Sequence, residues 1–215
     1  MLVFAPDQSL ADFLAQAQAR RETRLAFSVA SAGGLTDGKL RSLLDGYLPM
    51  AQQRSVRLRR NLGGWDVSVH LRYRTGVRIA DAYSRGCLDN LSPEERQTLD
   101  RALVLVQEAR KDFPSQIELA QRLYDVVRES AVYENPPVGT QAYARVVSAA
   151  SVLLRGRANC QGFSDAFYLL GTLAGLAVDY RCQTEGSPHL FNILTLDNLP
   201  HTVDATRGLF PAFPG

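Results

Sequence analysis

Apolar and polar positions follow two periods along this chain, and each period predicts one kind of element. Over residues 10–17 the apolar positions recur every three or four residues, which is typical of an amphipathic helix, and Ser9 is its expected N-cap. Residues 24–30 instead alternate with a period of two, as a half-buried strand does. Gly33 and Gly34 are expected to end that strand.

A second amphipathic helix is predicted to begin at Thr36, because leucines follow it at helical spacing. Two more alternating stretches, residues 56–58 and 67–73, flank the turn sequence Asn-Leu-Gly-Gly at 61–64 and predict a β-hairpin. Residues 1–86 are therefore expected to form a small α/β unit of helix, strand, helix and hairpin, whose role the sequence does not indicate.

Helices are predicted to dominate the next part of the chain. Ser92 is followed by Pro-Glu-Glu, which is a strong helix start, and Pro114 is expected to stop this helix. Ser115 can cap another helix, which we expect to continue to the Asn-Pro-Pro sequence at 135–137. A short helix is then predicted over residues 141–154.

The last part of the chain is expected to contain one helix and a small sheet. Helical spacing of apolar residues begins at or just after Cys160, and Gly175 is a natural C-terminal stop. Three β-prone runs follow, at residues 177–183, 189–196 and 201–206. Residues 87–215 thus predict an α+β domain that follows the small N-terminal unit.

Composition is typical of a globular protein that can bury a sizeable core: the chain has 215 residues, of which 46% are hydrophobic and 21% charged. The net charge of +2 gives little reason to expect a nucleic-acid or membrane partner. No apolar run approaches the roughly 20 residues that span a bilayer, and no secretory signal is visible. We expect a cytoplasmic location by default, or an exported one if the chain is a truncated form.

The three cysteines, Cys87, Cys160 and Cys182, are an odd number without CxxC spacing. This pattern argues against a disulfide framework and against a structural zinc site. No acidic loop has the ligand spacing of a calcium site, so we expect neither a metal nor another cofactor. A free cysteine is by itself most often a small buried apolar residue.

Cys160 has a chemical context that suits a nucleophile. Gly156 and Asn159 mark a loop before it, so its thiol is expected at the N-terminus of a helix. The positive end of the helix dipole and the free backbone N–H groups there favour the thiolate, which is the nucleophilic form. The same N–H groups, including that of Cys160, can stabilise an oxyanion.

A cysteine nucleophile needs a base, and the base needs an orienting partner. Of the three histidines, His70 lies on the polar face of a predicted strand, whereas His189 opens a strand after Gly-Ser-Pro. The antiparallel run 201–206 can place Asp204 beside His189. Each residue taken singly is more often structural, but their order and their positions at element boundaries favour a Cys160–His189–Asp204 acyl-transfer site.

Three motifs in this half of the chain resemble those of bacterial transglutaminase-like proteins, which are papain-like cysteine proteins. Residues 155–163 (RGRANCQGF) resemble the nucleophile motif G-x-x-x-C-x-G-[YF], residues 186–192 (GSPHLFN) resemble H-[AL]-W-N, and residues 203–206 (VDAT) resemble V-D-x-T. The resemblance extends over residues 92–206. It implies a papain-like, transglutaminase-like core, in which the nucleophile helix packs on a small antiparallel sheet, and it implies the same triad.

The resemblance also suggests oxyanion-hole candidates and reveals two departures from the family pattern. A helix followed by Tyr133 resembles the approach in bacterial members, and Tyr133 or Gln141 is the candidate to complement the N–H group of Cys160. Phe191 stands where the family usually has Trp, which keeps an aromatic wall. Arg207 stands where an aromatic residue is common, and we expect it to alter the rim of the cleft.

The triad and the resemblance imply cysteine-dependent acyl transfer on peptide or glutamine amides, with a protein or peptide substrate. The thioester on Cys160 can pass to an amine, which is transamidation, or to water, which is deamidation or proteolysis. A catalytically idle module that serves as a protein-binding or scaffold domain is the alternative. A nucleic-acid interface is less favoured, because interleaved acids and the low net charge weaken it. Its candidate residues are Arg54, Arg57, Arg59, Arg60, Arg72, Arg74 and Arg78.

Overall fold

The computed structural model describes residues 2–30, 35–113, 115–184 and 186–212. The predicted breaks at Gly33, Gly34 and Pro114 lie outside the described residues. The chain divides into two compact units. Unit 1 comprises Met1–Arg74 and Cys182–Pro188, and unit 2 comprises Thr75–Arg181 and His189–Gly215.

Unit 1 contains a four-stranded sheet with the strand order β1-β2-β4-β3. Its strands are β1 (Val3–Phe4), β2 (Arg24–Ala30), β3 (Ala51–Asn61) and β4 (Gly64–Tyr73). Its helices are α1 (Gln8–Ala19) and α2 (Asp37–Tyr47). The predicted strand at 24–30 and the predicted hairpin around 61–64 are confirmed, since β2 covers Arg24–Ala30 and β3 pairs with β4 in antiparallel. In β4 the residues that alternate with a period of two are buried on one face.

The cap of α1 differs from the prediction, whereas that of α2 agrees with it. Asp7, and not Ser9, is the N-cap of α1, and its carboxylate accepts the backbone N–H of Ser9 at 2.9 Å. Both residue types are good caps, so the pattern alone could not separate them. Thr36 caps α2 as predicted, with its hydroxyl accepting the N–H of Lys39 at 3.3 Å.

Unit 2 is built from helices and short strands. The helices are α3 (Thr75–Ser84), α4 (Pro93–Asp112), α5 (Gln116–Glu129), α6 (Gln141–Ala144), α7 (Ala149–Leu153) and α8 (Cys160–Leu173), with a short 3-10 turn at Leu88–Asn90. The strands are β5 (Val132–Tyr133), β6 (Arg157–Ala158), β7 (Ala177–Gln183), β8 (His189–Leu196) and β9 (Leu199–Val203). The last two residues of β7, Cys182 and Gln183, belong to unit 1. β5 pairs with β6 in parallel, and β7, β8 and β9 form a second sheet.

Helix α8 lies at the centre of unit 2. Every residue from Gly162 to Gly171 is buried, because α3, α4, α5 and α7 contact this helix and β8 covers it on the sheet side. β8 and β9 are antiparallel. The predicted α+β class, with the Cys160 helix packed against a small sheet, is therefore confirmed. In the described residues, no helix is both long enough and apolar enough to cross a membrane.

The boundary between the units lies at Arg74–Thr75, whereas the sequence predicted it at residue 86. Helix α3, which the sequence analysis did not identify, belongs to unit 2. Its Gly76 N–H donates to the two carboxylate oxygens of the buried Asp165 on α8, at 3.1 and 3.0 Å. Long-range bonds of this kind leave no trace in the local sequence pattern.

Three predicted elements of unit 2 have different bounds. α5 ends at Glu129 and not near 135, because the next residues form β5 and the Val132 N–H donates to the Gly156 carbonyl at 2.9 Å. The helix predicted over 141–154 is two short helices, since the Val146 carbonyl between them accepts the Asn159 N–H at 2.9 Å. The last strand covers Leu199–Val203, not 201–206.

Candidate active site

Cys160 is the first residue of α8, as the sequence predicted, and it is partly exposed. The preceding residue, Asn159, is buried, and its side-chain oxygen accepts the N–H groups of Gln161 and Gly162 at 3.0 and 3.4 Å. An N–H in the first turn of a helix has no intrahelical acceptor. The N–H of Cys160 has no acceptor among the described residues, so it remains available to an oxyanion.

Two polar side chains fix α8 to β8 close to this point. The Ser164 hydroxyl donates to the carbonyl of Leu190 at 2.9 Å. The Asn192 amide donates to the Ser164 carbonyl at 3.2 Å. Ser164 is four residues after Cys160 and therefore lies on the same helix face. These bonds bring the start of β8, where His189 lies, to the Cys160 end of the helix.

His189 and Asp204 form a short hydrogen bond. The distance from His189 Nε2 to Asp204 Oδ2 is 2.6 Å, and the two side chains are only 9% and 5% exposed. His189 opens β8, and Asp204 directly follows β9, which pairs with β8 in the register Asn192↔Val203. Because Nε2 is occupied by the carboxylate, Nδ1 is the ring nitrogen left for a partner such as the thiol.

Asp204 has further donors that hold its carboxylate in place. Its Oδ1 accepts the N–H and the hydroxyl of Thr206 at 3.0 and 2.6 Å, and the N–H of Arg207 at 3.2 Å. Burial by itself would raise the pKa of Asp204, but the hydrogen bonds from Thr206 and His189 outweigh it and hold the pKa below 3.8. The carboxylate is therefore ionised at neutral pH and can orient and stabilise an imidazolium.

The two side chains predicted as oxyanion donors lie in different surroundings. Tyr133 is half-exposed in β5, where it pairs with Ala158, two residues before Cys160. Burial raises the pKa of Tyr133, and the nearby negative charges of Cys160 and Asp204 act in the same direction, so its hydroxyl is a proton donor at neutral pH. Gln141 is exposed at the start of α6, and it hydrogen bonds to no site residue among those described.

Aromatic side chains flank the candidate triad. The Phe191 ring stacks beside the His189 ring, with centroids 6.0 Å apart and an interplanar angle of 23°, so the aromatic wall expected from the sequence is present. The Gln161 amide donates to the Tyr143 hydroxyl at 2.6 Å. The sequence pattern did not predict this contact or the supporting roles of Asn159, Ser164, Asn192 and Thr206. An Asn directly before a helix and an Asp-x-Thr spacing are local signals that could have identified Asn159 and Thr206.

The other predicted candidates lie on other elements of the chain. His70 is exposed on β4, as expected. Cys87 and Cys182 are reduced cysteines, the first exposed and the second partly exposed. Several of the hairpin-region arginines have protein partners: Arg54 pairs with Asp45, Arg78 pairs with Glu95, and the buried Arg74 donates to the Pro49 carbonyl. The described part of the chain contains no group of three or more His, Cys, Asp or Glu residues arranged to hold a metal ion.

The known proteins to which this chain is similar are solved structures. No protein-family model and no curated protein matches the sequence. A transglutaminase (TGase) aligns with 100% of this chain and 61% of its own, at 18% identity and a TM-score of 0.48. A candidate cysteine protease from Cytophaga hutchinsonii aligns with 73% of this chain and 66% of its own, at 11% identity and a TM-score of 0.39. A candidate protease from Parabacteroides distasonis aligns with 85% of this chain and 40% of its own, at 11% identity and a TM-score of 0.42.

The chain thus spans about three fifths of the length of the transglutaminase that it resembles. At TM-scores below 0.5 these likenesses assign no activity.

Proposed function

We propose that the protein is a cysteine-dependent enzyme that breaks amide bonds through a thioester on Cys160, with His189 and Asp204 as its partners. The observation that supports this most is the 2.6 Å bond between His189 Nε2 and Asp204 Oδ2, because both side chains are nearly buried. A buried carboxylate on an imidazole fixes its tautomer and stabilises its charged form, which is what a catalytic base requires.

In the first half-reaction the Cys160 thiolate attacks the carbonyl carbon of a glutamine or peptide amide. The carbon–sulfur bond forms, the carbonyl oxygen becomes an oxyanion, and the Cys160 N–H stabilises it, with the Tyr133 hydroxyl as the candidate second donor. When the carbon–nitrogen bond breaks, His189 transfers its Nδ1 proton to the departing nitrogen. Asp204 keeps Nε2 of the same ring oriented throughout this step.

In the second half-reaction the thioester passes to an acceptor. Water or an amine attacks the thioester carbon, His189 takes a proton from the attacking atom, and the carbon–sulfur bond breaks to release Cys160 as thiolate. Water gives hydrolysis, whereas an amine gives transamidation. The same three residues catalyse both reactions. The proposal therefore specifies the acyl-enzyme on Cys160 and allows either water or an amine as the acceptor.

Alkylation of the three cysteines tests the proposal without a known substrate. At neutral pH, iodoacetamide should modify Cys160 at least about tenfold faster than Cys87 or Cys182, because Cys160 begins the long helix α8 and has His189 as its proposed base. Peptide mass spectrometry over time gives all three rates in one sample. His189→Ala should remove most of the difference while Cys87 retains its rate.

Equal reactivity of the three cysteines in the wild-type protein would contradict the proposal. It would favour instead a catalytically idle module that binds other proteins. If Cys160 reacts fastest, the acceptor can be identified with a glutamine-rich protein as substrate. Ammonia release measures deamidation and transamidation together, whereas incorporation of a labelled amine measures transamidation alone.

A further inference from the structure

Arg207 places a cation beside the candidate triad. Its Nε lies 3.7 Å from Asp204 Oδ2, the same oxygen that accepts the hydrogen bond from His189. The side chain is 59% exposed, so the guanidinium lies at the surface next to a nearly buried pair. In the sequence this residue replaces the aromatic residue expected after Thr206.

Asp204 does not need this cation as a hydrogen-bond donor. Four hydrogen bonds from His189, Thr206 and the backbone of Arg207 already occupy the two carboxylate oxygens. At 3.7 Å the Arg207 Nε is beyond hydrogen-bonding distance. In the part of the chain that the structure describes, the Arg207 guanidinium donates no hydrogen bond, so its donors face solvent.

A second arginine lies beside this turn. The Arg128 guanidinium lies close to Gly208, since atoms of Arg128 are 3.5–3.7 Å from where a side chain on Gly208 would begin. Arg128 and Arg207 therefore both lie at the turn at 207–208, and Asp204 and Asp125 are the carboxylates whose charges act on the neighbouring Tyr124.

Tyr133 links Arg207 to the nucleophile. The phenol is close enough to Cys160, Asp204 and Arg207 for all three charges to affect its pKa, which Arg207 lowers and the other two raise, after burial as the largest cause. Tyr133 also pairs with Ala158, two residues before Cys160, so the charge of Arg207 reaches a residue that lies beside the segment leading to the thiol.

We propose that Arg207 binds a carboxylate of the substrate, so that the enzyme prefers peptides with an acidic group near the amide that it cleaves. This proposal rests on the function proposed above. A guanidinium is planar and presents paired donors that match the two oxygens of a carboxylate. Since the Arg207 side chain is exposed and its contact with Asp204 is too long for a hydrogen bond, a substrate carboxylate can reach these donors.

A pair of alkylating reagents tests this directly. Iodoacetate carries a carboxylate and iodoacetamide does not, while both modify the same sulfur. The ratio of their rates at Cys160, divided by the same ratio at the exposed Cys87, measures attraction for an anion independently of thiol reactivity. We expect this normalised ratio to fall about three- to tenfold in Arg207→Gln, because the variant loses one positive charge that attracts the carboxylate of iodoacetate.

Two further variants sharpen the test. Arg207→Lys should retain a large part of the ratio, because it keeps the charge. Arg101→Gln, which removes an exposed arginine from α4, should leave the ratio unchanged. Added salt should lower the ratio in the wild-type protein and have little effect on Arg207→Gln.

A normalised ratio that Arg207→Gln leaves unchanged would overturn the proposal. Equal changes of both rates in Arg207→Gln would overturn it as well, since Arg207 would then act on the triad and not on the reagent. Either result leaves the function of Cys160 standing if iodoacetamide still reacts rapidly. Slow reaction of Cys160 with both reagents would instead remove the proposed function, and this inference with it.

Discussion

Asp204 holds a negative charge at a position that is almost closed to solvent. Burial opposes that charge, and the hydrogen bonds from Thr206 and His189 compensate, so that the pKa of Asp204 is lowered from 3.8. A carboxyl group whose pKa is lower in the folded state stabilises the fold at pH values above its unfolded pKa. That stabilisation is lost as the pH falls through the lower, folded value.

Asp204→Asn should therefore destabilise the protein by about 1–2 kcal/mol near neutral pH, because charged hydrogen bonds are lost. The deficit should be constant from pH 7 to about pH 5 and should disappear as the pH falls through the unfolded and then the lower, folded pKa of Asp204. Urea unfolding over this pH range measures it, and Asp179→Asn, an exposed carboxyl in the same unit, is the control. A deficit that persists unchanged at low pH would show that shape, and not charge, is responsible.

For single residues, the sequence predicted the His189–Asp204 pair but did not identify the second oxyanion donor. The pair could be predicted because strands that are neighbours in sequence form an antiparallel pair. The position of Tyr133 depends on the parallel pairing of β5 with β6, whose residues are far apart in the chain. Such pairing has no local signal, so Tyr133 and Gln141 could not be ranked.

Among the elements, the start of α8 is tightly packed at Gly162. A side chain added to Gly162 would begin 2.5 Å from the Val146 carbonyl oxygen, 2.9 Å from the Ala158 Cβ and 3.3 Å from the Ser148 carbonyl oxygen. Two of these are backbone atoms, which cannot rotate away. The turn after Cys160 therefore has room only for glycine.

Gly162→Ala should cost about 1–3 kcal/mol of folding free energy, because the first turn of α8 or the facing loop must move. The same movement should slow alkylation of Cys160 at neutral pH. Urea unfolding and the iodoacetamide rate are the two measurements. Gly38→Ala, in α2, is the matched control: nothing lies within 4 Å of its added carbon, so the variant should be neutral or slightly stabilising. Wild-type reactivity in Gly162→Ala would contradict this account of the helix start.

Element prediction succeeded where the signals are local. Ser92 and Glu95 form the predicted capping box of α4, and Thr36 caps α2. It failed where pairing between distant segments ends an element, as at Glu129, where α5 stops because β5 begins. The sequence pattern also did not predict α3, whose buried face packs against α8.

At the scale of unit 2, the carboxyl group of Asp165 joins elements that are distant in sequence. It is fully buried on α8 and accepts hydrogen bonds from the Gly76 N–H of α3, the Ala149 N–H of α7 at 2.8 Å, and the Tyr180 hydroxyl of β7 at 2.7 Å. These bonds fix three elements, α3, α7 and β7, to the helix that carries Cys160. A sequence gives no means of identifying such donors before the fold is known.

Asp165→Ala should destabilise unit 2 by about 3 kcal/mol or more, because several buried donors lose their acceptor. Asp165→Asn should lie between this variant and the wild type, since it keeps one acceptor oxygen. Asp179→Ala, on the exposed face of β7, should change stability by no more than about 0.5 kcal/mol. Urea unfolding monitored by circular dichroism gives the three values, and wild-type stability of Asp165→Ala would refute the assignment.

The chain passes between the two units three times, after Arg74, after Arg181 and after Pro188. A gene that lost the codons for residues 1–74 would still encode Cys182–Pro188, a stretch that belongs to the missing unit. Recombination at a single junction could therefore neither add nor remove the whole of unit 1, because unit 1 consists of two separate segments of the chain. In evolutionary terms the two units are expected to be inherited together, even though the candidate triad lies entirely in one of them.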